Sequence, residues 1–309
     1  MKLGYRLEYY GFRLGATAVR WLPLSASQRF AAWIAERSFA RGGKRVRYTL
    51  ANLRLCFPEL SERERYEIGR VSYIHLAWNA VDFMRLGSWS EQEIRRRFRL
   101  EGVEHYQAAL AEGRGVMLLT LHLGNFELGA LGAPLYGVGA TWVGRPMSNT
   151  QLYRYLSRQR TRTGGGLIGK RNIAPSILRV LRKGGAVGIL NDQYTRRSQG
   201  VFAPFFGLRC STSPGVAMLA LRSGALVLPT YVVRDAPDHH TGRILPPLKL
   251  ELSGDRRLDI AAITAACNEA YESIIRRHPD QYWWFTRRFR HSPDLDRDPY
   301  DDAPPSSAG

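Results

Sequence analysis

The spacing of apolar residues changes near residue 97. Before it, apolar positions recur at helical intervals among charged ones; after it, short apolar runs alternate with helical stretches. In the first part, Ser25 or Ser27 can cap a helix to about Arg41, where Gly42-Gly43 ends it. Ser61-Glu-Arg-Glu64 reads as a capping box opening a long helix to about Arg85, and Ser90-Glu-Gln-Glu93 as a second one. In the second part the runs 116–121, 141–143, 186–190, 226–233 and 244–252 read as strands. Helices are expected from about Asn125, from about Thr150, over 213–222 and over 258–277. This alternation predicts an α/β fold, a mixed central sheet flanked by helices beneath a helical N-terminal layer. The expected organisation is a helical, membrane-associating region over 1–97, an α/β core over 98–291, and a polar, Pro-rich tail over 292–309 expected to be disordered.

The N-terminal helix has a feature of its own. Arg6, Arg13 and Arg20 recur every seven residues and so share one stripe. Tyr5, Tyr9, Phe12, Leu14, Val19 and Trp21 give it apolar bulk elsewhere. That combination predicts an amphipathic helix lying in a membrane interface. A surface helix docked through its apolar side would show the same pattern. A span needs about 20 apolar residues. Charges interrupt 5–21, and Pro134 and several glycines break the uncharged run 128–144. No segment reads as a span, and none as a secretory signal.

Charge and cysteine usage narrow the function classes. The chain has 45 Lys+Arg against 27 Asp+Glu, a net charge of +18, carried mostly by arginine. A GC-rich genome produces such a bias, and so does a positive field facing a phospholipid surface, nucleic acid or an acidic carrier protein. The cations are spread through every segment without a zinc-finger or RNP signature, which argues against nucleic acid. Cys56, Cys210 and Cys267 are far apart and form no C-x-x-C pair. Neither a disulfide framework, a metal site nor a cofactor is expected, and the cysteines read as structural.

The candidate chemistry sits at Leu119-Thr-Leu-His-Leu-Gly-Asn-Phe-Glu-Leu128. A buried strand ends at His122, Gly124-Asn125 turns the chain, and Glu127 falls in the first turn of a helix. Strand ends are where α/β folds bind ligands. Across that turn Glu127 can face His122, fix its tautomer and make it a general base. A structural His–carboxylate pair would have the same spacing. Asp192, after another apolar strand, can hold an arginine or the histidine.

The segment resembles the His-x4-Asp/Glu motif of the glycerolipid acyltransferase superfamily, and its surroundings resemble the late acyltransferases of bacterial lipid A biosynthesis. Gly144-Arg-Pro146 with Asn149, Arg160 and Arg162, Asn191-Asp-Gln193, Phe202-Ala-Pro-Phe-Phe-Gly207 and Pro279-Asp-Gln-Tyr-Trp-Trp-Phe-Thr-Arg-Arg-Phe289 follow that family's blocks in order over about 100–290. The resemblance implies transfer of a fatty acyl group from a thioester on acyl carrier protein to a hydroxyl of a lipid A precursor, with no covalent acyl-enzyme. His122 would be general base and Glu127 its orienting partner, with backbone amides after His122 stabilising the oxyanion. Arg145, Arg160, Arg162, Asp192 and Asn125 would bind substrate; Phe202, Phe205 and Phe206 would line the acyl pocket. Trp283, Trp284, Phe285 and Arg287-Arg288 read either as an edge near headgroups or as a core-packed terminus. His105, His239, His240 and His278 belong to no constellation and read as surface residues; His75 and His291 likewise give no signal. The implied place is the cytoplasmic face of the bacterial inner membrane, with an anionic lipid surface as partner. Related branches acylate other glycolipids, aminolipids or lysophospholipids, with acyl-CoA as a further donor.

Overall fold

The computed structural model describes residues 3–144, 148–169 and 173–301. Five helices come first: α1 (Leu3–Trp21), α2 (Leu24–Ala40), α3 (Lys44–Cys56), α4 (Glu62–Arg85) and α5 (Glu91–Arg97). The α/β part follows as β1 (Phe98–Glu101), α6 (Val103–Ala111), β2 (Val116–Thr120), α7 (Phe126–Gly132), β3 (Ala140–Val143), α8 (Thr150–Thr161), β4 (Gly166–Ile168), α9 (Ile173–Arg182) and β5 (Ala186–Leu190). It ends with β6 (Val201–Phe205), β7 (Leu208–Thr212), α10 (Gly215–Ser223), β8 (Leu226–Ala236), β9 (His239–Ile244) and α11 (Arg256–Arg277).

Seven strands form one sheet in the order β1-β9-β8-β2-β5-β3-β4. All neighbours are parallel except β8 and β9, so the sheet is mixed, as the alternation of elements predicts. Strand β2 is buried throughout because its two faces meet two different cores. Met117 and Leu119 enter the large core with Val187, Val227, Ile177 and Ile274; Val116 and Leu118 enter a smaller one with Tyr106, Val138 and Leu228.

Both predicted capping boxes are present, each with the serine side chain and the glutamate bonded reciprocally. Four expectations change. Helix α2 starts at Leu24 after Pro23, and the Ser27 hydroxyl bonds carbonyls of Val19 and Pro23 instead of capping. The run 244–252 leaves the ladder after Ile244, because Pro246 and Pro247 have no N–H to donate. The Phe-Phe-Gly block is a hairpin turn between β6 and β7, with φ of 52° at Phe206 and 78° at Gly207. The stretch from Ser292 to Asp301 is packed: Ser292 Oγ bonds the Arg209 carbonyl at 2.7 Å, and the buried Tyr300 hydroxyl bonds Asn52 and accepts from the Phe289 N–H. Tail residues 302–309 lie outside the described residues.

Helix α1 docks by the face that carries Tyr5, Tyr9, Phe12, Ala16 and Val19; of its stripe of arginines Arg6 and Arg13 stay exposed and Arg20 is drawn in at the edge. Arg20 donates to the Met84 carbonyl and the Tyr155 hydroxyl, each at 3.1 Å, Arg13 lies over the Tyr155 ring, and Phe12 meets Phe83 edge-on. Leu7, Tyr10, Leu14 and Trp21 are left on the outside, Trp21 with 86% of its surface exposed. No helix among the described residues is long and apolar enough to cross a membrane.

Candidate active site

Strands β2 and β5 lie side by side in register, with Thr120 opposite Leu190. Two residues beyond each of these positions come His122 and Asp192, so the sheet itself brings the two side chains together. His122 Nδ1 is 2.8 Å from Asp192 Oδ1, and the His122 backbone N–H donates to Asp192 Oδ2 at 3.1 Å. Gln193 Nε2 donates to the same oxygen at 3.1 Å. Asp192 is completely buried. Burial alone would raise its pKa, but the charge and hydrogen bonds of His122 hold the carboxyl below the usual carboxylate value. An ionised carboxylate only accepts, so Nδ1 carries the hydrogen and Nε2 is the nitrogen that can take a proton. For His122, burial disfavours the imidazolium; Asp192, and secondarily Glu127, outweigh it and raise the pKa above the ordinary value.

The ring is held in place on other sides as well. Trp283 lies 4.9 Å away centroid to centroid, and Phe126 meets the ring edge at 5.3 Å. The Trp283 N–H donates to the His122 carbonyl at 3.0 Å, and the Gly124 N–H to the Gln281 carbonyl at 3.0 Å. The C-terminal aromatic block is thus the back wall of the site. Trp284 and Arg288 are buried; Arg288 donates to Ser211, Thr212 and Asn268, so it is neither solvated nor near headgroups.

The expected His122–Glu127 pair is replaced by two pairs. Glu127 is gripped bidentately by Arg160 from α8, with Nε to Oε2 at 2.7 Å. It acts on His122 through space, and the hydrogen bond to the imidazole comes from Asp192. Sequence reasoning named Asp192 but gave the orienting role to Glu127, because which strand neighbours β2 is not written in the spacing. Burial lowers the Arg160 pKa and the Glu127 partner more than restores it, so the guanidinium stays charged. Arg162 points elsewhere, donating to the Leu86 and Trp89 carbonyls at 2.9 and 2.7 Å. Arg145 lies outside the described residues.

Asn125, expected at the substrate, has structural partners. It is buried, its Oδ1 caps α7 at the Leu128 N–H, and its Nδ2 donates to Asp82 Oδ2 at 2.9 Å. Asp82 in turn receives Arg234 Nη2 at 2.6 Å, with both side chains 1% exposed and His240 Nε2 at 3.5 Å. Arg234 also donates to Asn79 Oδ1, and Asn79 Nδ2 donates to the Gly124 carbonyl at 2.8 Å. This buried network ties α4 and β8 to the turn that follows His122. His240, expected on the surface, is buried, and so is His75, 3.7 Å from Asp280. Gly124 has φ of +54°, and an added Cβ would collide with the Val232 carbonyl oxygen. The amides of Leu123 and Gly124 are already bonded to Leu121 and Gln281, so they are not the oxyanion donors that the sequence suggests.

Phe205 and Phe206 pack in the large core with Phe57, Trp284 and Phe289, and Phe202 is half-buried beside His291 and Leu295. An enclosed apolar cavity lies instead between α7 and the sheet, lined by Leu118, Phe126, Gly129, Ala130, Trp142 and Val232 among others. Phe126 thus touches both this cavity and the His122 ring.

Three comparisons place this geometry beside known proteins. The sequence profile of the bacterial lipid A biosynthesis acyltransferases matches residues 3–291. The chain is 32% identical over 247 residues to the lipid A biosynthesis palmitoleoyltransferase of Escherichia coli K12, covering 78% of each. It is 29% identical over 277 residues to the lipid A biosynthesis lauroyltransferase of the same organism, covering 88% of each, and 25% identical over 284 residues to its myristoyltransferase, covering 91% of this chain and 87% of that one.

Proposed function

The chain belongs to the bacterial lipid A biosynthesis acyltransferase family and is an acyltransferase, and from that premise we propose that it moves a fatty acyl group from a thioester on acyl carrier protein to a hydroxyl of a lipid A precursor, with His122 as general base. The observation that carries the chemistry is the 2.8 Å His122–Asp192 contact, which leaves Nε2 as the basic nitrogen. Nε2 takes the proton of the acceptor hydroxyl as its oxygen attacks the thioester carbonyl. The new C–O bond forms, the C–S bond breaks, and His122 returns the proton to the departing thiolate. Asp192 stabilises the imidazolium in between, as a buried carboxylate does in other His-dependent acyl transfers. Arg160, kept cationic by Glu127, is the positive group next to the site for the developing oxyanion or an acceptor phosphate. Phe205 and Phe206 are committed to the core, and the cavity beyond Phe126, about 20 Å³, is too small for an acyl chain as it stands. The outward apolar face of α1, with Arg6 and Arg13 exposed on the neighbouring stripe, supports seating on a membrane surface, which in this reading is the cytoplasmic face of the inner membrane.

The test is acyl transfer from labelled acyl-carrier-protein donor to a lipid A precursor in detergent, wild type against His122→Ala. Transfer that the variant loses by about 10²-fold or more supports acceptor and base together. Wild type that is inert on this acceptor but active on another glycolipid or a lysophospholipid keeps the reaction class and removes the acceptor; equal rates in both proteins remove the mechanism.

The pH profile follows from the same groups. A general base must be unprotonated, so kcat/KM should rise with pH through the raised His122 pKa, above the ordinary 6.5. Glu127→Gln removes one of the charges that raise it, and the ascending limb should move to lower pH. An unmoved limb in a folded variant would show that Glu127 is not electrostatically coupled to the base.

A further inference from the structure

Helices α2 and α4 part over an open groove of about 530 Å³, within the ~300–1,000 Å³ range of small-molecule sites; its Arg45 lies over Phe285, which packs on Trp283 beside His122. Its walls are apolar and small: Ala31, Ile34 and Ala35 from α2, Leu76, Ala77 and Ala80 from α4. Its end is formed by Gly42, Gly43, Lys44 and Arg45 at the start of α3, and no acidic residue lines it. The first turn of α3 holds no acid and Gly43 supplies no side-chain cap, so its amides are open to an anion. Ile34 also belongs to an exposed apolar face of α2 with the stacked Phe30 and Trp33, so the groove opens onto that face.

We infer that this groove holds one acyl chain of an anionic phospholipid, with the headgroup phosphate at Lys44 and Arg45. An apolar trough closed by two cations matches such a lipid at both ends, and continuity with the exposed α2 face gives the chain a route in from a bilayer. A zwitterionic or neutral lipid would fill the trough but gain less at the cationic end, where each lysine or arginine favours anionic lipid by about fivefold. Its test reads lipid occupancy and no activity.

The full chain is mixed with phosphatidylcholine vesicles containing a phosphatidylglycerol probe that carries a photoreactive group on its acyl chain, and adducts are mapped by peptide mass spectrometry. Adducts on Ile34, Leu76 and Ala77 are expected, in excess over those on the outer residues Leu14 and Trp33, and unaffected by added inorganic phosphate. Ala77→Phe, which fills the trough, should remove the groove adducts and spare the outer ones. The double variant Lys44→Gln/Arg45→Gln leaves the trough intact and should lower the groove-to-outer ratio for the anionic probe by about fivefold per charge. It carries the test should Ala77→Phe not fold. Adducts confined to the outer faces, groove adducts equal for phosphatidylcholine and phosphatidylglycerol probes, or competition by inorganic phosphate would each overturn the inference.

Discussion

Asp192→Asn is expected to slow acyl transfer by about 10²–10⁴-fold while leaving the fold intact, the range that a positioned general base contributes. The side chain is almost isosteric, so the packing of a fully buried position survives. Two things change. The amide carries no charge to stabilise the imidazolium that forms as His122 takes the acceptor proton. Its NH2 can also donate to Nδ1, which moves the imidazole hydrogen to Nε2 and removes the free lone pair that the reaction needs. The measurement is single-turnover transfer from acyl-carrier-protein donor, with circular dichroism as the check on folding. The loss should persist at high pH, because the defect is in the tautomer and the missing charge and not only in the fraction protonated. A folded Asp192→Asn protein that transfers at the wild-type rate would assign orientation of the base to another group, with Glu127 next in line.

Asp82→Ala should destabilise the protein by about 3–5 kcal/mol, the typical cost of removing one partner from a buried ion pair. Arg234 is 1% exposed and would keep its charge with no counter-ion, because its remaining partners are the Asn79 side chain and the Pro237 carbonyl. Asn125 and His240 would lose their contact with the same carboxylate oxygen. Burial favours a protonated Asp82, yet His240 and Arg234 hold its pKa below the ordinary value, so the ion pair is the state to be broken. The readout is the denaturant midpoint in detergent. Asp82→Asn keeps the hydrogen-bonding geometry and should lie between the two. A shift of less than about 1 kcal/mol in Asp82→Ala would place the pair among those that contribute no net stability.

These two residues also show how far the sequence could be read. His122 was legible because an apolar run, a histidine, a Gly-Asn turn and an acid make a local pattern, and local patterns survive in one dimension. The capping boxes at Ser61 and Ser90 were legible for the same reason, since both partners lie within one turn. Asp82 and Arg234 are 152 residues apart and carried no signal. His240 was placed on the surface because its burial depends on that pair.

What the sequence determined by itself is the α/β class, the family, and the local pattern around the candidate base His122. These depend on periodicity, capping and ordered short motifs. What only the tertiary structure decided is which groups meet. The parallel pairing of β2 with β5 put Asp192, 70 residues away, on the Nδ1 that the local spacing seemed to reserve for Glu127, and the return of α8 put Arg160 on Glu127. The same holds for the helix surfaces: the seven-residue arginine repeat fixed one stripe of α1, but only docking against α4 and α8 decided that Tyr9, Phe12 and Ala16 face inward, that Leu7, Tyr10, Leu14 and Trp21 face outward, and that of the arginines only Arg20 is drawn in. A hydrogen bond needs two groups within about 3 Å, and sequence separation sets that distance only inside one helical turn or hairpin; across a sheet, strand order sets it.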